Sequence, residues 1–309
     1  MSKTILIATE KPFAGEAIDK IRKKIKNAGG YHLELLEAYS DKSALLKAVE
    51  NVDALIVRSD KVTAEVIDAS KNLKIIVRAG SGFDNIDLDK ASEKGIVVMN
   101  TPGQNANAVA ELAFGMMLGL IRNKYDGTPG TELQYKRIGM HGYGNIGKCM
   151  AIIAKGFSMK TYAYDLYLSK AVVEQDGVNY CKSAEELYST CDFISINIPA
   201  NEETIKCIDY KLLSKTKEGV LLINTARKEL IDEAGLLKWM EESPRFLYVS
   251  DIKPDCVDEI NSKYGKRTLF TTNKMGAQTA EANINAGVAS VTQIIRFFKD
   301  DDRTFQVNG

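Results

Sequence analysis

The stretch Arg137-Ile138-Gly139-Met140-His141-Gly142-Tyr143-Gly144-Asn145-Ile146-Gly147 decides how the rest of the chain is read. A short apolar strand runs into Gly142-x-Gly144-x-x-Gly147 and on into a helix. Eighteen residues past the last glycine, after the strand-like run Thr161-Tyr162-Ala163-Tyr164, comes Asp165. Strand, glycine turn, helix, strand and acid make one mononucleotide-binding βαβ unit. Each part has a physical task. Gly142 permits the tight turn, Gly144 lets a pyrophosphate approach the backbone, and Gly147 lets helix and strand pack closely. The helix N-terminus offers unpaired N–H groups and a positive dipole end, around Asn145 and Ile146, to phosphate. A carboxylate at Asp165 accepts hydrogen bonds from ribose hydroxyls and repels a 2′-phosphate, which predicts NAD rather than NADP. A glycine triplet alone also occurs in ordinary turns; the strand before, the helix after and the acid at the right distance are what decide the matter.

Working outward, the chain has 309 residues, 45% hydrophobic and 27% charged, with zero formal net charge. That length suits two domains, each with its own core. The charge balance gives no sign of a nucleic-acid or membrane-binding surface. No apolar run approaches the roughly 20 residues that span a bilayer. The N-terminus enters a strand at once, without a signal-peptide pattern, so a cytoplasmic location is expected. The five cysteines are scattered, odd in number and in no CxxC pair, and read as reduced thiols. With His32 and His141 as the only histidines, a histidine-rich metal site is excluded. His141 is expected to pack beside the glycine turn.

Strand-like and helical runs alternate from end to end. Strands are expected at 3–8, 31–37, 54–57, 74–77 and 95–99 before the glycine turn. After Asp165 they are expected at 193–198, 220–224, 246–250 and 269–270. Helices fall between, with Ala17, Ile18, Ile21 and Ile25 at helical spacing in the first of them and a Ser-x-x-Glu capping box at Ser183. The sheets should therefore be parallel and covered on both faces. The helix from Asn105 to Arg122 is apolar on most faces, which places it in a core or at a subunit interface. The helix from Thr279 to Lys299 follows the last strand. It is expected to return to the first domain, leaving the nucleotide domain as an insert.

Ligands of open parallel sheets collect beyond the carboxyl ends of the strands. There the sequence places Arg58-Ser59-Asp60-Lys61, Arg78-Ala79-Gly80-Ser81-Gly82, Thr225-Ala226-Arg227, Asp251 and Asn273-Lys274-Met275-Gly276. Arginines at three strand ends point to an anionic substrate, because guanidinium grips carboxylate and phosphate in bidentate fashion.

On Val77-Arg78-Ala79-Gly80-Ser81-Gly82-Phe83-Asp84-Asn85-Ile86-Asp87, Met99-Asn100-Thr101-Pro102-Gly103, the glycine turn, Ile223-Asn224-Thr225-Ala226-Arg227 and Lys274-Met275-Gly276-Ala277, the chain resembles the D-isomer-specific 2-hydroxyacid dehydrogenase family over essentially its whole length. The resemblance implies an α/β fold of two domains: an NAD-binding Rossmann domain, residues 104–279, inserted into a flavodoxin-like parallel-sheet substrate domain, residues 1–103 and 280–309. It implies that Arg227 grips the substrate carboxylate and C2 oxygen, and that the loop Gly80, Ser81, Gly82 offers it N–H groups. By the same resemblance Arg58, Ser59, Lys61 and Arg78 hold a phosphate. Gly142, Gly144, Asn145, Ile146, Gly147, Asp165, Thr225, Ala226 and Asp251 contact NAD, which meets the substrate at a cleft between the domains. Within the family the chain is most similar to short members that oxidise D-3-phosphoglycerate to 3-phosphohydroxypyruvate at the start of serine synthesis. A homodimer through the 105–122 helix is expected. Two other readings stay open: a reductase of hydroxypyruvate or glyoxylate, and a non-catalytic NAD-binding regulator.

Two departures from the family pattern stand out. Lys274 occupies the place of the usual histidine acid/base, and no glutamate follows Asp251; Asp255 is close in register. The two departures fit together. A carboxylate partner raises a cation's pKa, which helps a histidine but hinders a lysine starting near 10.4. A lysine base needs desolvation or a neighbouring cation instead, and Arg227 can supply the latter. Lys274 is therefore expected to exchange the proton, the alternative being an anion ligand with water as relay.

Overall fold

The computed structural model describes residues 2–309 and divides into two compact units. The first is formed by residues 2–105 and 277–309, the second by residues 106–276. In chain order, the first unit opens with β1 (Lys3–Thr9), α1 (Gly15–Ala28), β2 (Tyr31–Glu37), α2 (Lys42–Val49), β3 (Ala54–Val57), α3 (Ala64–Ala69), β4 (Ile75–Arg78), α4 (Leu88–Glu93) and β5 (Val97–Asn100). The five strands are all parallel, in the order β2-β1-β3-β4-β5. This is the flavodoxin-like order, with its switch point between β1 and β3. β3 and β5 are buried at every position, as a sheet covered on both faces requires.

The second unit begins with α5 (Ala106–Ile121). It continues through β6 (Arg137–His141), α6 (Asn145–Gly156), β7 (Lys160–Tyr164), α7 (Lys170–Gln175), β8 (Asn179–Tyr180), α8 (Ala184–Thr190) and β9 (Phe193–Ile196). It ends with α9 (Tyr210–Leu213), β10 (Leu221–Asn224), α10 (Glu233–Glu242), β11 (Leu247–Ser250), α11 (Val257–Tyr264) and β12 (Thr268–Phe270). Its seven parallel strands run β12-β11-β10-β9-β6-β7-β8. Read from β8 this is the doubly wound 3-2-1-4-5-6 order with one strand added, and the switch point lies between β6 and β9. The glycine turn leaves β6 at that point.

The chain then returns as α12 (Ala280–Asp300), which belongs to the first unit. Thr279 caps it by accepting from Ala282 N at 3.1 Å. Ile284, Val291, Ile294 and Ile295 of α12 enter one buried cluster with Ile5 and Ile7 of β1, Ile56 of β3 and Ile21 of α1. The helical spacing of Ala17, Ile18, Ile21 and Ile25 is the buried face of α1.

The apolar character of α5 has a local cause. Ala110, Phe114, Met117 and Ile121 are buried with Ile138, Met140 and Met150 inside the second unit's own core. Asn107, Glu111 and Gly115 are what the helix leaves exposed. Burial in its own unit accounts for most of its apolar positions. At Ser183 the cap is present, with Ser183 Oγ accepting from Glu186 N at 3.2 Å. The return bond is displaced by one residue, because Glu186 takes Lys182 N at 2.6 Å.

Candidate active site

At the end of β6, Gly142 has φ +93 and donates its N–H to Tyr164 O at 2.8 Å. A Cβ there would lie 2.9 Å from the Asn197 carbonyl carbon, so both conformation and space demand glycine. A Cβ on Gly147 would stand 2.5 Å from Gly142 O. Gly144 is different: a Cβ on it would meet nothing within 4 Å. The turn is thus tight where the protein touches itself and open where a phosphate would approach. Asn145 and Ile146 begin α6 beside it.

A cavity of about 470 Å³ lies beside the turn, lined among others by His141, Gly142, Gly144, Asp165, Ile198 and Cys207. Asp165 lies on its wall, but the carboxylate is already engaged. Oδ2 accepts from Tyr143 N at 2.8 Å, and Oδ1 accepts from Tyr167 N at 2.9 Å and Leu168 N at 3.1 Å. The acid that the sequence assigns to a ribose also ties the glycine turn to the loop after β7.

His141 packs as expected beside the turn, with Nδ1 3.3 Å from Tyr188 Oη and its ring edge-on to that tyrosine. Burial lowers its pKa to about 4, against a weaker upward pull from the Asp165 charge. An unfolded chain takes up this proton near 6.5. Stability is therefore fully present above that pH and declines as pH falls. The decline levels off below about 4, for a total loss on the order of 3 kcal/mol. Urea unfolding of the wild type and His141→Phe across that window checks this. The histidine-dependent slope should vanish in the variant.

The chemistry-bearing groups of the second unit gather at the ends of β10 and β11. Asn224, fully buried at the end of β10, clamps the next turn. Its Oδ1 accepts from Ala226 N at 3.0 Å and its Nδ2 donates to Arg227 O at 2.9 Å. Ser250 Oγ donates to Asn224 O at 2.8 Å from the neighbouring strand. The clamp presents the carbonyl of Ala226 to two cations at once. Arg227 Nη1 donates to it at 2.9 Å and Lys274 Nζ at 2.8 Å. Among the described residues, no carboxylate lies within 4.0 Å of the lysine. Asp255 instead pairs with Lys228 at 2.5 Å, so the nearby register noted in the sequence does not make it the lysine's partner.

This setting acts on Lys274 in a definite direction. Desolvation first, and the Arg227 charge second, lower its pKa to about 8, while Asp251 and Glu229 oppose the shift. Asp251 is fully buried, with Oδ2 accepting from Gly276 N at 2.9 Å. Burial pushes its carboxyl up, opposed by the Gly276 N–H and the Lys274 charge. Its Oδ1, and Oγ1 of buried Thr225, have no hydrogen-bond partner. Unpartnered buried polar atoms are rare enough to call for a reason. Both stand where the family resemblance implies NAD contacts, and together with the space over Gly144 they fit a dinucleotide whose polar edge completes them.

In the first unit the basic strand ends are partly occupied by the fold. Arg58 Nη1 donates to Lys11 O at 2.7 Å and Pro12 O at 3.1 Å, Nη2 donates to Asn283 Oδ1 at 2.5 Å, and the guanidinium sits over the Phe13 ring. Arg78 Nε donates to Arg58 O at 2.9 Å. Its Nη1 fills the space over Gly80, where a Cβ would be 1.6 Å away. The Gly80 N–H, expected to serve a substrate carboxylate, is bonded to Arg78 O at 2.9 Å. Ser59 and Lys61 are exposed. Buried Asp60 holds this corner together by accepting from Glu10 N, Arg58 N and Tyr39 Oη.

The sheet orders, the glycine turn and the paired cations define an α/β dehydrogenase, and a family match makes that specific. The model of the D-isomer specific 2-hydroxyacid dehydrogenase catalytic domain matches residues 6–308, and the chain belongs to that family of NAD-dependent oxidoreductases. Among individual relatives, the hydroxypyruvate reductase of Thermotoga maritima is 40% identical over 282 residues, 85% of this chain and 90% of its own length. The D-3-phosphoglycerate dehydrogenase of Archaeoglobus fulgidus is 35% identical over 312 residues, 96% of this chain but 57% of its own. The chain therefore spans little more than half of that relative. The crystal structure of NAD+-bound 3-phosphoglycerate dehydrogenase from Entamoeba histolytica matches with a TM-score of 0.86 at 41% identity, covering 100% of this chain and 99% of that one.

Proposed function

We propose that the protein oxidises D-3-phosphoglycerate to 3-phosphohydroxypyruvate, with Lys274 as proton acceptor and Arg227 as the ligand of the substrate carboxylate. The observation that carries this reading is the meeting of Arg227 and Lys274 on the carbonyl of Ala226. A guanidinium there binds the carboxylate and C2 oxygen. A lysine whose pKa lies near 8 loses its proton at a pH where others stay charged, so it can take the proton of the C2 hydroxyl as the C–O bond becomes a carbonyl. Arg227 stabilises the charge that develops on that oxygen. The Asn224 clamp keeps the Ala226 carbonyl aimed at both groups.

NAD is held in this reading by the backbone of Gly142, Gly144, Asn145, Ile146 and Gly147, by Asp165, and by Thr225, Ala226 and Asp251. When bound, its oxidised ring accepts the hydride from C2. The phosphate is assigned to Lys61, Ser59 and Arg78, with Arg58 acting as the brace that positions Arg78 through its own carbonyl. Hydroxypyruvate is the second reading. It is favoured by the engagement of Arg58 with Lys11, Pro12 and Asn283, which leaves fewer cations for a phosphate.

Steady-state NADH formation with a panel of D-2-hydroxy acids tests the choice. Activity confined to 3-phosphoglycerate supports it, and a preference for D-glycerate, the reduced form of hydroxypyruvate, overturns it. Lys61→Met supplies a sharper check. It should raise KM for 3-phosphoglycerate about tenfold, the low end for one exposed charge-assisted bond, and leave KM for D-glycerate unchanged. Entry into serine synthesis and a cytoplasmic site of action follow from the same substrate reading. No described helix is long and apolar enough to cross a membrane. A homodimer also belongs to this reading. It is assigned to the 105–122 region, where α5 leaves Asn107, Glu111 and Gly115 exposed, and light scattering of the purified chain measures it.

A further inference from the structure

We propose that Lys274 is also a carbonyl-condensing amine, which forms a reversible imine with small 2-oxo acids and so holds the enzyme in a covalently inhibited state. The inference rests on the reading of Arg227 and Lys274 as the substrate-anion site. Three features of the geometry carry it. First, Arg227 Nη1 and Lys274 Nζ lie 2.9 and 2.8 Å from one oxygen, so the two nitrogens are no more than about 6 Å apart. A 2-oxo acid carries its electrophilic carbon directly on the carboxylate carbon. An acid anchored on Arg227 therefore brings that carbon within reach of the amine. Second, Arg227 is exposed, and Lys274 keeps part of its surface in solvent although its amine is partly buried against the Ala226 carbonyl, so a ligand can reach both. Third, the amine's protein partner is a carbonyl oxygen, and among the described residues no carboxylate within 4.0 Å fixes it as an ammonium ion.

The chemistry balances without an added reagent. The neutral amine adds to the C2 carbonyl, forming an N–C bond and a carbinolamine. The C2–O bond then breaks and the oxygen leaves as water, taking both amine hydrogens with it, so that a C=N bond remains. Hydrolysis reverses the sequence. A histidine in the same place cannot do this, because imidazole is not a primary amine. The property is thus specific to a chain with lysine here. A pKa near 8 supports the step, since about a tenth of the amine is neutral at pH 7, against well under one part in a thousand for an ordinary lysine. The amine that takes the hydroxyl proton in one direction is the one that the carbonyl product can cap.

The test uses the full chain with glyoxylate as the 2-oxo acid and cyanoborohydride to trap the imine, followed by peptide mapping. Lys274 should be labelled at least tenfold faster than the exposed lysines Lys170 and Lys238. Without the reductant, glyoxylate should cause slow-onset loss of activity that dilution restores; after reduction the loss should persist. Lys274→Arg keeps the charge and should leave the labelling of Lys170 and Lys238 unchanged, with none at 274. Labelling of Lys274 no faster than that of Lys170 overturns the proposal. Turnover on the same preparation separates this failure from failure of the site reading. Active wild-type enzyme without excess label overturns the imine alone. Label at Lys274 with full turnover in the Lys274→Arg protein supports the imine and overturns the proton-acceptor role.

Discussion

Replacing Lys274 with methionine should lower turnover by roughly 10²–10⁴-fold, the range set by loss of a positioned general base. Methionine keeps most of the stem and removes the proton site, so cofactor binding should survive. With Lys274 as the proposed proton acceptor, oxidation by the wild type needs the neutral amine. The rate of oxidation at low substrate should therefore rise with pH and level off above about 8. Reduction needs the ammonium form and should fall above the same value. The charges around the amine set where this limb lies. Arg227 pushes it down, and Asp251 and Glu229 pull it up. Asp251→Asn should shift the limb to lower pH, a change that a merely structural loss would not produce. Stopped-flow and steady-state measurements from pH 6 to 10 check both. Near-normal turnover in the methionine variant with tight NADH binding would remove Lys274 from the proton path.

The second large effect concerns the glycine turn, where two neighbouring glycines should fail in different ways. Gly144→Ala meets nothing within 4 Å in the protein, and Gly144 has an ordinary negative φ. Its melting temperature should stay within a few degrees of the wild type, since surface changes of this kind cost about 0.5 kcal/mol or less. NADH affinity should nevertheless fall by a factor of ten or more, because the added methyl stands where phosphate must approach. Gly147→Ala forces a Cβ to 2.5 Å from Gly142 O. Relieving that overlap moves α6 away from the turn, at a cost of about 1–3 kcal/mol. That variant should lose both stability and NADH binding. Fluorescence titration with NADH and thermal unfolding, run on both proteins, give the comparison. Equal NADH affinity in Gly144→Ala and wild type would contradict the assignment of the open space to phosphate.

What could be read from the sequence divides along physical lines. The glycine turn, the buried strands and Lys274 were legible because each is a local pattern: a spacing, a run of apolar residues, or one residue type in a familiar frame. The short elements α4, α7, β8 and α11 were not. α7 buries only Val173 and α11 only Ile260, too little for a period to emerge. The neighbours of α5 were also hidden, since a helix apolar on most faces states that it is covered without saying by what. Long-range polar pairing was the least legible. Arg58 reads as a substrate cation because its guanidinium partner, Asn283, lies 225 residues away. Asp255 reads as near to Lys274 because nothing in the sequence shows that Lys228 holds it. Asn224 went unremarked as a clamp, although an asparagine at a strand end before Thr-Ala-Arg is the available signal. His141 shows the opposite case. Its place in an apolar strand was enough to identify it as packed beside the turn.

The return of α12 to the first unit has a consequence for biosynthesis. As the chain leaves the ribosome, β1 to β5 emerge first, and one face of that sheet has to wait for Ile284, Val291, Ile294 and Ile295. All of residues 106–276 must be made in between. At cellular elongation rates the delay is on the order of ten seconds or more. By the end of that interval the second unit has its complete sequence and can fold, while the first still presents an uncovered isoleucine- and valine-rich surface to solvent or to a holding chaperone. The second unit can thus be finished before the first, and a ribosome stalled short of α12 would release a half-finished protein with a sticky sheet at its front end.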